Sequence, residues 1–205
     1  MLAESSLGGV KLYRLRHRSG DDVFLPPAIE SSTMNAEQRL RAASAALAGR
    51  LDELGTEKVV FAESCTAGLI SAALAGVPGI SKYLCGSFVT YRESAKQKLL
   101  NIPSDLLQEH TAVSASVTEL MAANCLAALE EATWSAAITG HLGPGVDEEL
   151  SGIIYIAIAR RDAKQPSQVQ LQSSGSFQLV SANRVERQQE SASIALEQLK
   201  EAISL

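Results

Sequence analysis

The stretch Lys58-Val59-Val60-Phe61-Ala62-Glu63-Ser64-Cys65-Thr66-Ala67-Gly68 decides the fold. It opens with a short, near-continuous apolar run, as expected of a central strand buried on both faces. It then passes through small polar residues toward Leu69, Ile70, Ala73 and Leu74. That spacing predicts a helix starting near Thr66 and stopping at Gly76-Val77-Pro78-Gly79. A buried strand feeding directly into a helix is a building unit of layered α/β domains.

The pattern repeats outward from this unit. Upstream, Leu40, Leu47, Leu51 and Leu54 recur at helical steps from Asn35 onward, with Gly55 as a stop signal. Downstream, Gly86 to Tyr91 reads as a strand, and Ser94 to Leu100 as a helix broken by Ile102-Pro103. Residues 114–131 carry Val117, Leu120, Met121, Cys125 and Leu129 on one helical face. Strands follow at Trp134–Thr139 and Gly152–Ala159, then strand-like residues around Gln168 to Gln172 and Phe177. A last helix places Ala192, Leu196, Leu199 and Ile203 on one face. Alternating strands and helices predict a three-layer α/β/α domain over residues 35–205 with a mixed central sheet. Residues 1–34 read as an N-terminal extension. Val10–Leu15 and Val23–Leu25 flank a turn at Ser19-Gly20-Asp21-Asp22 and suggest a hairpin; Pro26-Pro27 and Glu30–Thr33 suggest a linker. The basic run Arg14, Arg16, His17 and Arg18 fits a solvated strand face or contact with an anionic partner.

Composition narrows the function classes. The 205 residues are 46% hydrophobic and 20% charged, enough for one cored domain, and the 4% aromatic content requires an aliphatic, small-residue interior. A net charge of -5 argues against nucleic acid as a partner, since that usually needs a basic face. Cys65, Cys85 and Cys125 cannot all pair with one another. They form no Cys-x-x-Cys and join no His cluster, so free thiols in a reducing cytoplasm are expected and no metal site is. The N-terminus lacks the apolar run of a signal peptide, and no stretch is long enough to span a membrane.

Three segments can carry chemistry. Ser64 lies at a strand-to-helix junction, where unpaired backbone N–H groups can hold an oxyanion. It can be a nucleophile, or Ser64 or Thr66 can simply cap the helix. The motif is not Gly-x-Ser-x-Gly. A base is needed, and His17, His110 and His141 each lack an evident Asp partner. Lys96 shares a helix face with Leu99 and Leu100. It can be desolvated enough to act as a neutral amine, or it can extend an apolar stem along the core with its ammonium in water. Tyr91, just past the strand, can sit beside it and relay a proton. The third segment, Thr139-Gly140-His141-Leu142-Gly143-Pro144-Gly145, follows a buried strand. Its glycines allow a ligand close to the backbone, or mark an ordinary turn; it is neither a dinucleotide fingerprint nor a P-loop.

Taken together, AESCTAG (62–68), FVTYRESAK (88–96), HTAVS (110–114), TGHLGPG (139–145) and SGIIYIA (151–157) resemble, in order and spacing, the blocks of the CinA C-terminal domain family. The similarity runs from about Asn35 to the last helix. Bacterial members of that family deamidate nicotinamide mononucleotide to its nicotinate form. The resemblance implies an amide hydrolase with Ser64 as nucleophile, Lys96 as base and Tyr91 as helper, using neither metal nor cofactor. It implies that Glu63, Cys65, Thr66, Gly68, Thr139, Gly140, Gly143 and Arg184 contact a small nucleotide substrate, with oxyanion donors near Cys65 and Thr66. A cytoplasmic homo-oligomer with no nucleic-acid or membrane partner is the accompanying expectation. The chain also departs from the family pattern. Ala67 replaces Gly, which is expected to crowd close backbone approach. Arg92-Glu93 replaces Ser-Asn, and His141-Leu142 replaces Ile-Ala. The loop at 145–150 lacks the family's Lys-Pro pair and carries Asp147, Glu148 and Glu149. These changes leave open a domain repurposed to bind a nucleotide or a protein, or an amidase for another small carboxamide.

Overall fold

The computed structural model describes residues 34–205 and, before them, the backbone of three strands, β1 (Ala3–Leu7), β2 (Val10–Arg16) and β3 (Asp22–Leu25). The segment read as a linker, His17 and Arg18, and the side chains of Arg14 and Arg16 lie outside the described residues. β2 pairs antiparallel with β1 and with β3, and β3 joins the main sheet through a short parallel pairing.

Helix α1 (Ala36–Leu54) begins in a capping box. The Asn35 side chain accepts from the Gln38 amide while the Gln38 side chain accepts from the Asn35 amide. It ends at Gly55, whose φ of 70° suits a left-handed cap. Strand β4 (Val59–Glu63) follows, then α2 (Leu69–Ala75), a 3-10 turn at Ile80–Lys82, and β5 (Leu84–Val89). Helices α3 (Glu93–Leu100), α4 (Ser104–His110) and α5 (Ala115–Ala128) lead to β6 (Trp134–Gly140), β7 (Ile153–Arg161), β8 (Val169–Gln178) and α6 (Arg184–Ser204). Two expected boundaries are corrected and one helix is added. α2 begins at Leu69 rather than Thr66, because residues 64–67 form a turn. β5 ends before Tyr91. The segment 104–110, left without an element in the sequence reading, is a helix.

The sheet is mixed and its order is β1-β2-β3-β8-β7-β6-β4-β5. β4 runs parallel to both β5 and β6, while β6, β7 and β8 pair antiparallel. Alternation along β4 sends Phe61 and Val59 to one face, packed with Leu47, Leu51, Leu196 and Leu199 of α1 and α6. Val60 and Ala62 face the other side, against Val117, Met121 and Leu126 of α5. The three-layer expectation holds. Phe61, Leu47, Leu51, Met121 and Leu126 are essentially inaccessible to solvent. Each such side chain stabilises the fold by about 1.5–3 kcal/mol through burial.

This topology places the site. From β4 the chain crosses over one face through α2 to reach β5. It returns through α3–α5 on the other face to β6, on the opposite side of β4. The carboxyl end of β4 therefore lies at a topological switch point, where open α/β sheets form their ligand crevices.

Candidate active site

Ser64 is the residue immediately after β4, and its amide extends the ladder by donating to the Ile138 carbonyl at 3.1 Å. Lys96 lies within α3, one turn from its start, and points back under the end of β4. Its Nζ donates to Ser64 Oγ and to the Thr90 carbonyl oxygen, each at 2.8 Å. Lys96 is only 1% exposed, so the water-facing alternative for its ammonium is excluded. Burial lowers its pKa to about 8, against smaller opposing effects of Cys65 and Glu93. Near neutrality about one Lys96 in ten is therefore an uncharged amine. In that form one N–H remains for the Thr90 carbonyl, and the lone pair can be directed at the Ser64 hydroxyl.

The helix cap is neither Ser64 nor Thr66. Gly68 holds the N-cap position without a side-chain bond, and the first amides of the helix are capped instead by the carboxylate of Glu63, the last residue of β4, fully buried. Its Oε2 accepts from Thr66 Oγ1 at 2.9 Å and from the amides of Gly68 and Ile70 at 2.9 and 3.0 Å. Its Oε1 accepts from the Ser71 amide and hydroxyl and from Ser87 Oγ of β5. The carboxylate thus takes up the positive end of α2 and its unpaired N–H groups. Those donors are not aimed at a substrate, contrary to expectation. The Cys65 and Thr66 amides, within the turn itself, have no backbone carbonyl partner among the described residues.

A cavity of about 210 Å³ opens over this pair. It is lined by Ser64, Cys65, Tyr91 and Lys96 from one side and by Gly140, His141, Gly143 and Arg184 from the other. Ala112 and Val113 of the α4–α5 connection form a third wall. Six residues singled out in the sequence alongside Ser64 and Lys96 therefore meet around one space: Cys65, Tyr91, Gly140, His141, Gly143 and Arg184. Four do not line it. Glu63, Thr66 and Gly68 belong to the capped turn described above. Thr139 is buried, its hydroxyl paired with that of Thr118 at 2.8 Å.

Tyr91 also departs from expectation. Its hydroxyl accepts from Arg184 Nη2 at 2.9 Å, and the side chain is 53% exposed. The residue that touches Lys96 is Thr90, through its carbonyl, because the chain turns outward after β5. Arg184 opens α6 and also donates to the Gly143 carbonyl. Arg187, one turn on, donates to the Leu142 carbonyl and to Ser151 Oγ at 2.9 Å. Two arginines of one helix thus hold the glycine loop from outside, a role the sequence reading did not assign. Their i, i+3 spacing after Asn183 was the available signal.

Two backbone positions explain residue choice. A Cβ on Gly140 would lie 2.5 Å from Ile154 Cγ2 and 3.2 Å from Cys65 Sγ, so only glycine lets β6 pass the turn this closely. Ala67 has φ 54°, a left-handed conformation, and its side chain is exposed. It crowds nothing; the departure from Gly is instead a backbone strain. Cys65 is buried, which pushes its thiol up to about 12 and keeps it protonated. His110 is exposed at the end of α4 and is not among the cavity-lining residues, although Ala112, two residues on, is.

Comparison with known proteins agrees with this architecture. The chain is 44% identical over 105 residues to a CinA-like protein of Prochlorococcus marinus subsp. pastoris, covering 50% of this chain and 24% of that protein. It is 43% identical over 108 residues to a putative competence-damage inducible protein of Caldicellulosiruptor bescii, covering 51% and 26% respectively. The chain thus spans about a quarter of the length of these curated relatives. Among solved structures, the competence/damage inducible protein CihA from Agrobacterium tumefaciens superposes with a TM-score of 0.69 at 28% identity, covering 78% of this chain and 93% of that one. A CinA superfamily protein from Escherichia coli gives 0.66 at 26% identity, covering 78% and 87%. The sequence profile of the CinA C-terminal domain spans residues 41–203, which include every described element from β4 to β8 and all the cavity-lining residues. With that span, and with four of the five sequence blocks lining one cavity while the fifth (151–157) opens and fills β7 beside it, this chain belongs to the CinA C-terminal domain family.

Proposed function

We propose that the chain is a metal-independent amide hydrolase that deamidates nicotinamide mononucleotide to nicotinate mononucleotide and ammonia. The observation that carries this reading is the 2.8 Å contact between a buried Lys96 amine and the Ser64 hydroxyl. Neutral Lys96 takes the Ser64 proton as the oxygen attacks the carboxamide carbon. The amides of Cys65 and Thr66 receive the developing oxyanion. The Lys96 ammonium then protonates the leaving nitrogen, ammonia departs and an ester to Ser64 remains. Water attacks that ester with Lys96 again as base, releasing the carboxylate and restoring the serine.

The pyridine carboxamide enters between the Ser64 turn and the glycine loop, and the sugar phosphate extends toward the mouth, where Arg184 and Tyr91 stand. Ammonia release from nicotinamide mononucleotide by the wild-type chain and by Ser64→Ala tests the reading. Ser64→Ala is expected to lower kcat by at least about a thousandfold with nucleotide binding retained. Full turnover by Ser64→Ala excludes the nucleophile. A second reading has its own support in Asp147, Glu148 and Glu149, exposed on the loop beside the cavity. These charges disfavour a phosphate nearby and fit a domain repurposed for binding. Tight nucleotide or protein binding without ammonia release by the wild-type chain favours that reading.

A further inference from the structure

The polar side chains around the cavity can be accounted for one by one. Ser64 and Lys96 bond each other. Tyr91 and Arg184 bond each other, and Arg184 also holds the Gly143 carbonyl. Cys65 presents only a buried, protonated thiol, a weak hydrogen-bonding group. His141 is left. The residue lines the cavity and is half-buried, and no side-chain hydrogen bond or ion pair engages it among the described residues. Its backbone, by contrast, is fixed. The His141 amide donates to the Ile153 carbonyl at 2.9 Å, and the Gly152 amide donates to the His141 carbonyl at 2.6 Å. The ring is therefore presented from a pinned extension of β6 rather than from a free loop. Its neighbour Leu142 is buried. At this position the CinA-like pattern carries an aliphatic residue, so the hydrogen-bonding capacity of His141 departs from that pattern.

We infer that His141 is a specificity-determining residue that hydrogen-bonds a hydroxyl of the substrate's sugar once the carboxamide is seated on Ser64. The inference rests on the deamidase reading for the orientation of the substrate. A pocket that leaves one polar side chain unpaired on a rigid frame offers it to the ligand. Burial lowers the pKa of His141, which keeps the ring neutral at physiological pH with one donor and one acceptor nitrogen. That combination matches a hydroxyl, which both donates and accepts. A phosphate only accepts, and the exposed carboxylates at 147–149 oppose it on the same loop.

The test measures calorimetric binding of nicotinamide mononucleotide, nicotinamide riboside and nicotinamide to Ser64→Ala protein carrying His141, His141→Ile or His141→Gln. Thermal melts confirm that each variant is folded. His141→Ile is expected to weaken both sugar-bearing ligands by about five- to tenfold and to change nicotinamide by less than about twofold. Gln, which keeps a donor and an acceptor, should restore part of the loss. Equal weakening of all three ligands, weakening confined to the phosphate-bearing ligand, unchanged affinities, or no binding of any of the three each overturns the inference. Ammonia release by the unmodified chain judges the deamidase reading separately. Binding that depends on His141 without turnover rejects the reading and keeps the inference; turnover with binding indifferent to His141 does the reverse.

Discussion

In the turn at residues 63–71 the polar side chains Glu63, Thr66 and Ser71 are all engaged by the protein itself. In the loop at residues 141–150 Pro144 to Glu149 are exposed, and the carbonyls of Leu142 and Gly143 are held from outside by arginines of α6. The turn is built around a buried carboxylate with six donors, and it carries the nucleophile. The loop carries most of the departures from the family pattern, His141, Leu142 and the acidic run, whereas the turn carries one, Ala67. Chemistry is held by the segment whose polar side chains are engaged by the protein, and selectivity is assigned to the one that presents His141 without a side-chain partner among the described residues. The physical reason is precision. A nucleophile tolerates little displacement, whereas a recognition loop can change residues without moving the reacting atoms.

The largest test of that contrast is Glu63→Gln. The amide side chain turns one acceptor into a donor and faces it toward hydrogen-bond donors. A loss of about 2–3 kcal/mol in denaturant unfolding is expected, with kcat down by about ten- to a hundredfold and KM little changed. A fall in stability with kcat intact would separate the turn from the chemistry. Next in size is pH. Because the Lys96 pKa is lowered to about 8, kcat/KM for the proposed reaction should rise about tenfold per unit up to pH 8 and then level off. A profile already flat at pH 6.5 removes Lys96 as the base. Stability should carry the matching sign. The unfolded chain holds the Lys96 proton up to about pH 10.5 and the folded chain only to about 8, so the unfolded state binds more protons in that window. Raising the pH from 8 to 10.5 should therefore stabilise wild type relative to Lys96→Met, as read from paired melting curves. The smallest effect belongs to Ala67→Gly. Relief of the left-handed alanine is expected to stabilise the fold by about 1 kcal/mol with kcat unchanged, since the side chain faces solvent. A marked gain in activity would show that Ala67 does obstruct the site.

The contrast also explains which parts of the site were legible beforehand. Lys96 stood out because a lysine sharing a face with Leu99 and Leu100 either is desolvated or runs its stem along the core to water, and Ser64 because it follows a buried strand. Glu63 was read as touching substrate. Five of its six donors lie within eight residues, with Ser87 of β5 the exception, but a carboxylate before a helix shows nothing in sequence of which way it turns. Tyr91 was placed beside Lys96 because both follow β5, yet its hydroxyl partner, Arg184, is 93 positions away. The Thr118–Thr139 hydroxyl pair and the grip of Arg187 on the loop have the same origin.

Periodicity, caps and apolar runs are local properties, so most of the strands and helices, β1 and α4 excepted, the two buried faces of β4 and the family blocks were determined by the amino-acid sequence alone. Which carboxylate caps α2, which carbonyl steers the Lys96 amine and which lining side chain lacks a partner were decided only in the tertiary structure. Those depend on atoms that the chain brings together from opposite sides of a sheet, as with Ser64 and Lys96, 32 positions apart and 2.8 Å from contact atom to contact atom.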